Sequence, residues 1–121
     1  PILDLKKTMN LMAQTQRVGV SDVIKRYIVD IVQATRTSED VFIGASPRGS
    51  LALMRAAQAK AAISGREYVI PDDVQHLVTP MLSHRVILNV SARMNEVAVE
   101  HILGEVLSRV PAPGGTFSRQ S

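Results

Sequence analysis

The chain has 121 residues, the size of one domain, and 45% of them are apolar, so it is expected to fold around a small aliphatic core. Its net charge of +3 permits contact with a polyanion such as a nucleotide but does not require it, since its longest basic run is Lys6-Lys7. The absence of cysteine excludes disulfides and thiolate metal sites, and no segment has the pattern of a membrane span or signal peptide, so the cytoplasm is the expected compartment.

The first third of the chain predicts two helices joined by an extended link. Residues 4–16 predict a short helix, and residues 17–20 break its pattern. Ser21 offers an N-cap for a second helix that should end near Thr37. The apolar stripe of this second helix is expected to face the core and contains Val23, Ile24, Tyr27, Ile28, Ile31 and Val32. Residues 38–45 are expected to form a loop.

An alanine-rich helix is predicted next. Ser46 is expected to be its N-cap and Pro47 its first helical residue, because a proline there loses no hydrogen bond. Gly65 suits the left-handed position that ends a helix. Residues 66–70 predict an extended link in which Arg66 is solvated or caps carbonyl groups.

The remaining sequence predicts two more helices. The first begins at Pro71, and Asp72 and Asp73 are expected to complement its positive end rather than to form a catalytic pair. Pro80 is expected to bend or split this helix. The last helix is predicted from Asn95-Glu96, with a stripe formed by Val99, Ile102, Leu103, Val106 and Val110. The fold class is therefore all-α, a small helical bundle with short extended links.

The most informative candidate site is the segment Gly44-Ala45-Ser46-Pro47-Arg48. A glycine-containing turn leads directly into a helix, and an arginine stands in its first turn. A helix N-terminus presents unpaired N–H groups and the positive end of the helix dipole, which suit a phosphate, and the arginine adds a fixed charge. An ordinary capped helix start with a solvated arginine has the same pattern, so the pattern alone leaves both readings open.

A longer series of motifs resembles one known family. Gly44-Ala45-Ser46-Pro47-Arg48, the alanine-rich helix and the run Gly65-Arg66-Glu67-Tyr68-Val69-Ile70-Pro71-Asp72-Asp73-Val74 resemble the lid of MoxR-type AAA+ ATPases. Upstream, Val20-Ser21-Asp22, Tyr27-Ile28 and Ala34-Thr35-Arg36 are also similar, as is Leu82-Ser83-His84-Arg85 downstream. The resemblance covers roughly residues 5–113. It implies an AAA+ helical lid over residues 1–113, followed by a flexible polar tail at 114–121.

The resemblance also implies roles for individual residues. Arg48 corresponds to the second-sensor arginine, which reaches the terminal phosphate of ATP from across the cleft between lid and core. Gly44, Ala45, Ser46 and Pro47 would bind the nucleotide together with Arg48. Tyr27 and Ile28 would lie near the adenine, although their position on the apolar stripe favours core packing. The implied partners are an AAA+ core domain of the same chain, further copies in a homo-hexamer, and a client protein complex.

The parts of an ATPase that hold Mg²⁺ and most of the nucleotide are absent from the sequence. It contains no Gly-x-x-x-x-Gly-Lys-Ser/Thr phosphate loop and no apolar run ending in Asp-Glu. The cofactor would be ATP, with its Mg²⁺ bound by the core domain. This chain alone is therefore expected not to hydrolyse ATP.

Two other classes of function stay open at this stage. A free-standing helical module of the histone-fold or helix-turn-helix type would bind DNA in a salt-dependent way, through the helix–link–helix run at residues 46–82. A protein-interaction scaffold would need no chemistry from Arg48. A metal site is not predicted, since the histidines lack ligand spacing and cysteine partners: His76, His84 and His101.

Overall fold

The computed structural model describes residues 17–113, which form a helical bundle with one small sheet. The helices are α1 (Asp22–Thr37), α2 (Pro47–Ile63), α3 (Pro71–Leu82), α4 (Val90–Met94) and α5 (Val99–Arg109). The strands β1 (Val41–Ile43) and β2 (Ile87–Leu88) pair antiparallel. The predicted all-α bundle with short links is thus confirmed. The predicted helix at residues 4–16 and the predicted tail at 114–121 lie outside the described residues.

One aliphatic core holds the bundle together. The inner faces of α1, α2, α3 and α5 meet there, and their largest fully buried apolar side chains are Ile28, Ile31, Leu53, Leu82, Ile102, Leu103, Val74, Val78 and Val106. Helices α2 and α3 pack closely because Ala57 and Ala61 are small and fully buried. The predicted stripe of α1 is buried except for Val23, which is 59% exposed because it lies at the edge of that stripe.

Local signals place several helix ends correctly. Ser21 is the N-cap of α1, and its hydroxyl accepts a hydrogen bond from the Ile24 N–H at 3.2 Å. Gly65 has φ +79° and ends α2. The turn is closed because the N–H groups of Gly65 and Arg66 donate to carbonyls of the last turn. Pro80 does not split α3, because the helix runs without a break to Leu82, and the predicted bend at Pro80 stays a prediction.

Two elements differ from the sequence prediction. The predicted loop at residues 38–45 contains β1, which pairs with β2, so the strand depends on a partner far along the chain. The final helix begins at Val99 and not at Asn95-Glu96, and the short helix α4 precedes it. Glu96 has φ +57° and occupies the left-handed position that ends α4, which prevents a helix from starting there.

The prediction for Arg66 also needs correction. Its guanidinium makes two hydrogen bonds to the carboxylate of Asp73, at 2.5 and 2.6 Å, in addition to one to the Tyr68 carbonyl at 3.3 Å. Asp73 is fully buried and also accepts from the Ile70 N–H at 3.0 Å, so it both caps α3 and binds Arg66. Asp72 is exposed and has the predicted position near the positive helix end.

The two predicted extended links, residues 17–20 and 66–70, lie side by side. Gly19 forms a parallel bridge with Tyr68: its N–H donates to the Glu67 carbonyl at 2.8 Å, and its carbonyl accepts from the Val69 N–H at 3.0 Å. Within residues 17–113, every helix is too short or too polar to cross a bilayer.

Candidate functional site

The turn before α2 is held at both backbone groups of Ala45. The Ala45 N–H donates to the hydroxyl of Thr35 at 3.0 Å, and the Ala45 carbonyl accepts from Nε of Arg36 at 2.9 Å. Thr35 and Ala45 are both fully buried. Two consecutive side chains at the end of α1 therefore fix the position of the turn, and we refer to them as the Thr35–Arg36 clamp.

Gly44 allows the turn to approach α1 closely enough for this clamp. A β-carbon at position 44 would lie 2.6 Å from Cγ, 2.7 Å from Cα and 2.8 Å from N of Arg36. The last two of these atoms belong to the helix backbone, which cannot move aside as a flexible side chain can. A side chain at residue 44 would therefore push the turn away from α1.

Helix α2 begins as the sequence predicts, but its first turn is not capped by a side chain. Ser46 is the N-cap residue and Pro47 the first helical residue, yet the Ser46 hydroxyl accepts no hydrogen bond from the helix. The first turn of α2 contains no acidic residue. The starts of α1, α3 and α5 each carry at least one. The positive end of the α2 dipole is therefore not neutralised by its own first turn.

Arg48 lies in this first turn and is exposed. Its guanidinium has no hydrogen-bond or ion-pair partner among residues 17–113. The arrangement combines a partner-free guanidinium, a helix N-terminus without a side-chain cap and a turn fixed by the Thr35–Arg36 clamp. An anionic oxygen placed there could accept hydrogen bonds from the guanidinium, and the positive end of the helix dipole would stabilise its charge. The geometry thus fits a phosphate group better than a neutral or cationic ligand.

The candidate adenine contacts lie elsewhere. Tyr27 and Ile28 are each 2% exposed and pack in the core, as their position on the apolar stripe favours. The Tyr27 hydroxyl accepts a hydrogen bond from Nε2 of Gln75 at 3.1 Å, which ties α1 to α3. Burial raises the pKa of the Tyr27 phenol, against the opposing effect of that hydrogen bond. The structure thus does not bring these two residues to the surface that carries Arg48, and their contact with adenine stays a prediction.

Sequence reasoning missed the contribution of Thr35 and Arg36. Both belong to the Ala34-Thr35-Arg36 motif. This motif is one of the segments that resemble the MoxR-type lid, but the sequence assigned no function to its residues. A threonine at the buried end of an apolar stripe was the available signal, because a buried hydroxyl requires hydrogen-bond partners. Thr35 meets this requirement twice: its hydroxyl accepts from Ala45 N–H and donates to the Val32 carbonyl at 2.6 Å.

No cluster of potential metal ligands accompanies the site. In the part of the chain that the structure describes, no three His, Cys, Asp or Glu side chains come together in a way that could hold a metal ion. His101 forms an exposed pair with Glu105 at 3.0 Å, one helical turn away on α5.

Comparison with known proteins identifies the fold. The AAA lid domain profile matches residues 33–106, which include the Thr35–Arg36 clamp, the Gly44–Arg48 turn and helices α2 to α4. The chain belongs to the AAA lid domain family. A crystal structure of a candidate ATPase from Cytophaga hutchinsonii superimposes with a TM-score of 0.79 at 28% identity, over 84% of this chain and 33% of that one.

The similar sequences point to the MoxR type of this lid. The chain is 38% identical to the chaperone MoxR1 of Mycobacterium tuberculosis over 72% of its length, and 30% identical to the protein MoxR of Paracoccus denitrificans over 77%. It is 44% identical to the uncharacterized protein YeaC of Bacillus subtilis over 93%. The chain spans only about a third or less of the length of these relatives: 26% of MoxR1, 32% of the Paracoccus MoxR and 35% of YeaC.

Proposed function

We propose that this chain is the lid of a longer MoxR-type ATPase and that Arg48 is its sensor for the terminal phosphate of ATP. The observation that carries the proposal is the position of Arg48: exposed and partner-free within residues 17–113, on a helix start without a side-chain cap. The Thr35–Arg36 clamp supports it, because its two contacts fix the backbone of the turn from which the Arg48 side chain projects. A fixed starting point lowers the cost of placing this cation where negative charge develops.

The mechanism follows from what Arg48 can and cannot do. A core domain in the remainder of the protein would hold the nucleotide and its Mg²⁺, and the lid would close over it. Arg48 would then stabilise charge on the phosphoryl group being transferred, as a cis arginine does in other nucleotide hydrolases. Because ATP and ADP differ in the phosphate that Arg48 contacts, they would favour closed and open lids unequally.

Lid movement is the step by which this ATPase would act on other proteins. Within a homo-hexamer, closure of one lid would be transmitted to the adjacent subunit, and the assembly would remodel a client protein complex in a chaperone-like way. The relative named chaperone MoxR1 supports this proposal. We propose the cytoplasm as its compartment, because such an enzyme needs a supply of ATP.

The test is steady-state ATP turnover and ATP affinity of the complete protein, for wild type and for Arg48→Ala. Loss of one preorganised donor is expected to lower turnover by about 10²–10³-fold while ATP still binds. Arg55→Ala is the matched control, since Arg55 is an exposed arginine two turns further along α2. Equal turnover in the Arg48 variant and wild type would refute the sensor role. The chain would then be better explained as a DNA-binding module or a protein-interaction scaffold.

A further inference from the structure

Arg85, which follows α3, lies against the first turn of α2. A β-carbon built at Gly49 would lie 3.7 Å from Cδ of Arg85 and 3.4 Å from Cδ2 of Leu82. Leu82 is fully buried and forms the floor of this space, whereas Arg85 is exposed. The aliphatic stem of Arg85 therefore lies beside Gly49, which is next in sequence to Arg48, and the residue as a whole is exposed.

Gly49 keeps the space beside this stem free. Helix α2 could accept a larger residue at position 49 without backbone strain, because only Gly65 among the glycines at residues 17–113 has a positive φ. A larger side chain there would meet Ala45, since even a β-carbon would lie 3.3 Å from the Ala45 β-carbon. The Arg85 stem would meet a β-carbon at position 49 at an ordinary contact distance of 3.7 Å, so only a longer side chain there would compete with it for space.

The fold gains no charge pairing from Arg85. Its side chain has neither an ion-pair nor a hydrogen-bond partner in the described range 17–113, and the nearby helix end is positive. Arg48 adds a second cation to the same helix start, and no acid in that turn offsets either charge. Cations collected at the positive end of a helix repel one another unless an anion joins them.

We propose that Arg85 is a second phosphate contact of the lid and binds the same nucleoside triphosphate as Arg48. This inference rests on the proposed function, which supplies the anion. The two guanidinium groups would approach the terminal phosphates from neighbouring points on one surface, Arg48 from the helix and Arg85 from the turn after α3. ATP carries one more phosphate, and therefore more negative charge, than ADP. The added electrostatic contact with Arg85 therefore favours ATP over ADP.

The first experiment measures ATP and ADP dissociation constants of the complete protein for Arg85→Met. Methionine preserves an unbranched apolar stem beside Gly49 and removes the charge. The ATP dissociation constant is expected to rise about fivefold, the effect of losing one exposed ion pair, and the ADP constant to rise less. Arg55→Met is the matched control, and an Arg85 variant that behaves like it overturns the proposal.

A second measurement separates this role from a structural one. Thermal unfolding of the 121-residue chain is compared for wild type and Arg85→Met without nucleotide. The midpoint is expected to stay unchanged or to rise, because a cation leaves the positive end of a helix. A lower midpoint together with equal losses of ATP and ADP affinity would show that Arg85 acts through folding, and this too overturns the proposal.

Arg48→Met, measured in parallel, tells the two proposals apart. If it lowers turnover while Arg85→Met matches the Arg55 control, the sensor role stands and only the inference about Arg85 fails. If neither variant affects nucleotide binding or turnover, both proposals fail.

Discussion

The hydroxyl of Thr35 accepts a hydrogen bond from the backbone N–H of Ala45 at 3.0 Å, and this contact fastens the end of α1 to the turn before α2. Both residues are fully buried, so water cannot replace the hydroxyl if it is removed. The contact lies three residues before Arg48. A packing feature of the bundle thereby determines where an exposed charge is presented.

Thr35→Val is expected to destabilise the chain by about 1–3 kcal/mol, because it leaves the buried Ala45 N–H without an acceptor. Chemical denaturation measures the change. Thr37→Val is the matched control: the Thr37 hydroxyl makes an exposed hydrogen bond to the Ala34 carbonyl at 3.2 Å, so its loss should cost much less. Equal losses in the two variants would contradict the role assigned to Thr35.

Gly44→Ala is expected to destabilise the chain by about 1–3 kcal/mol, the usual cost of forcing an extra carbon into a packed site. The new β-carbon would lie 2.7 Å from Cα of Arg36, so the turn would have to move. In the complete protein, the same displacement should lower ATP turnover through Arg48.

The control for Gly44 is Gly104→Ala in α5. A β-carbon at Gly104 meets nothing within 4 Å, and alanine favours a helix over glycine by up to about 1 kcal/mol. Denaturation should therefore show a gain in stability for Gly104→Ala and a loss for Gly44→Ala. If Gly44→Ala left the free energy of unfolding unchanged, α1 and the turn would not be packed closely together.

Stability should depend on pH through Asp73. Burial alone raises the pKa of this carboxyl, but the hydrogen bonds from Arg66 and from the Ile70 N–H, with the charges of Arg66 and Lys60, outweigh it and leave the pKa below its ordinary value. A depressed pKa in the folded state stabilises the fold above the unfolded pKa of about 4. That contribution is lost as the pH falls through the lower, folded pKa.

Asp73→Asn is expected to cost about 3 kcal/mol at neutral pH, because it leaves Arg66 without its charged partner. The difference from wild type should shrink as the pH falls below about 4, because the unfolded carboxylate then takes up a proton, and it should be lost once the pH passes the lower pKa of the folded carboxyl. Asp72→Asn is the control, since Asp72 is exposed and next in sequence. Urea unfolding between pH 7 and pH 2 measures the free energy of unfolding of each variant. A difference between wild type and Asp73→Asn that does not change with pH would contradict the role assigned to the Asp73 carboxylate.

The purified 121-residue chain is expected to hydrolyse no ATP. It has no phosphate loop, and within the described residues no three His, Cys, Asp or Glu side chains come together in a way that could hold a metal ion. A coupled assay with contaminating ATPases removed measures this. Turnover that persists through repeated purification would show that the chain carries a complete ATP site of its own.

Sequence reasoning located the elements whose ends are fixed locally. Ser21 and Gly65 mark the start of α1 and the end of α2 through contacts within a few residues, so their chemistry was readable from the sequence. The same is true of Arg48, whose place in the first turn of α2 follows from Pro47.

Features that depend on distant contacts or on an unusual backbone conformation could not be predicted from the sequence. β1 exists because β2 pairs with it from more than forty residues away. Glu96 ends α4 in a left-handed conformation that glycine usually adopts, so the sequence carried no stop signal there. Arg66 finds Asp73 only because the turn after Gly65 brings the two together.

A structure of the complete protein with a non-hydrolysable ATP analogue would test most directly whether Arg48 is the phosphate sensor. We expect a closed lid with the Arg48 guanidinium within about 3 Å of a terminal phosphate oxygen, and the Ala45 contacts to Thr35 and Arg36 unchanged. A closed, nucleotide-bound lid in which Arg48 points to solvent and another residue contacts that phosphate would contradict it.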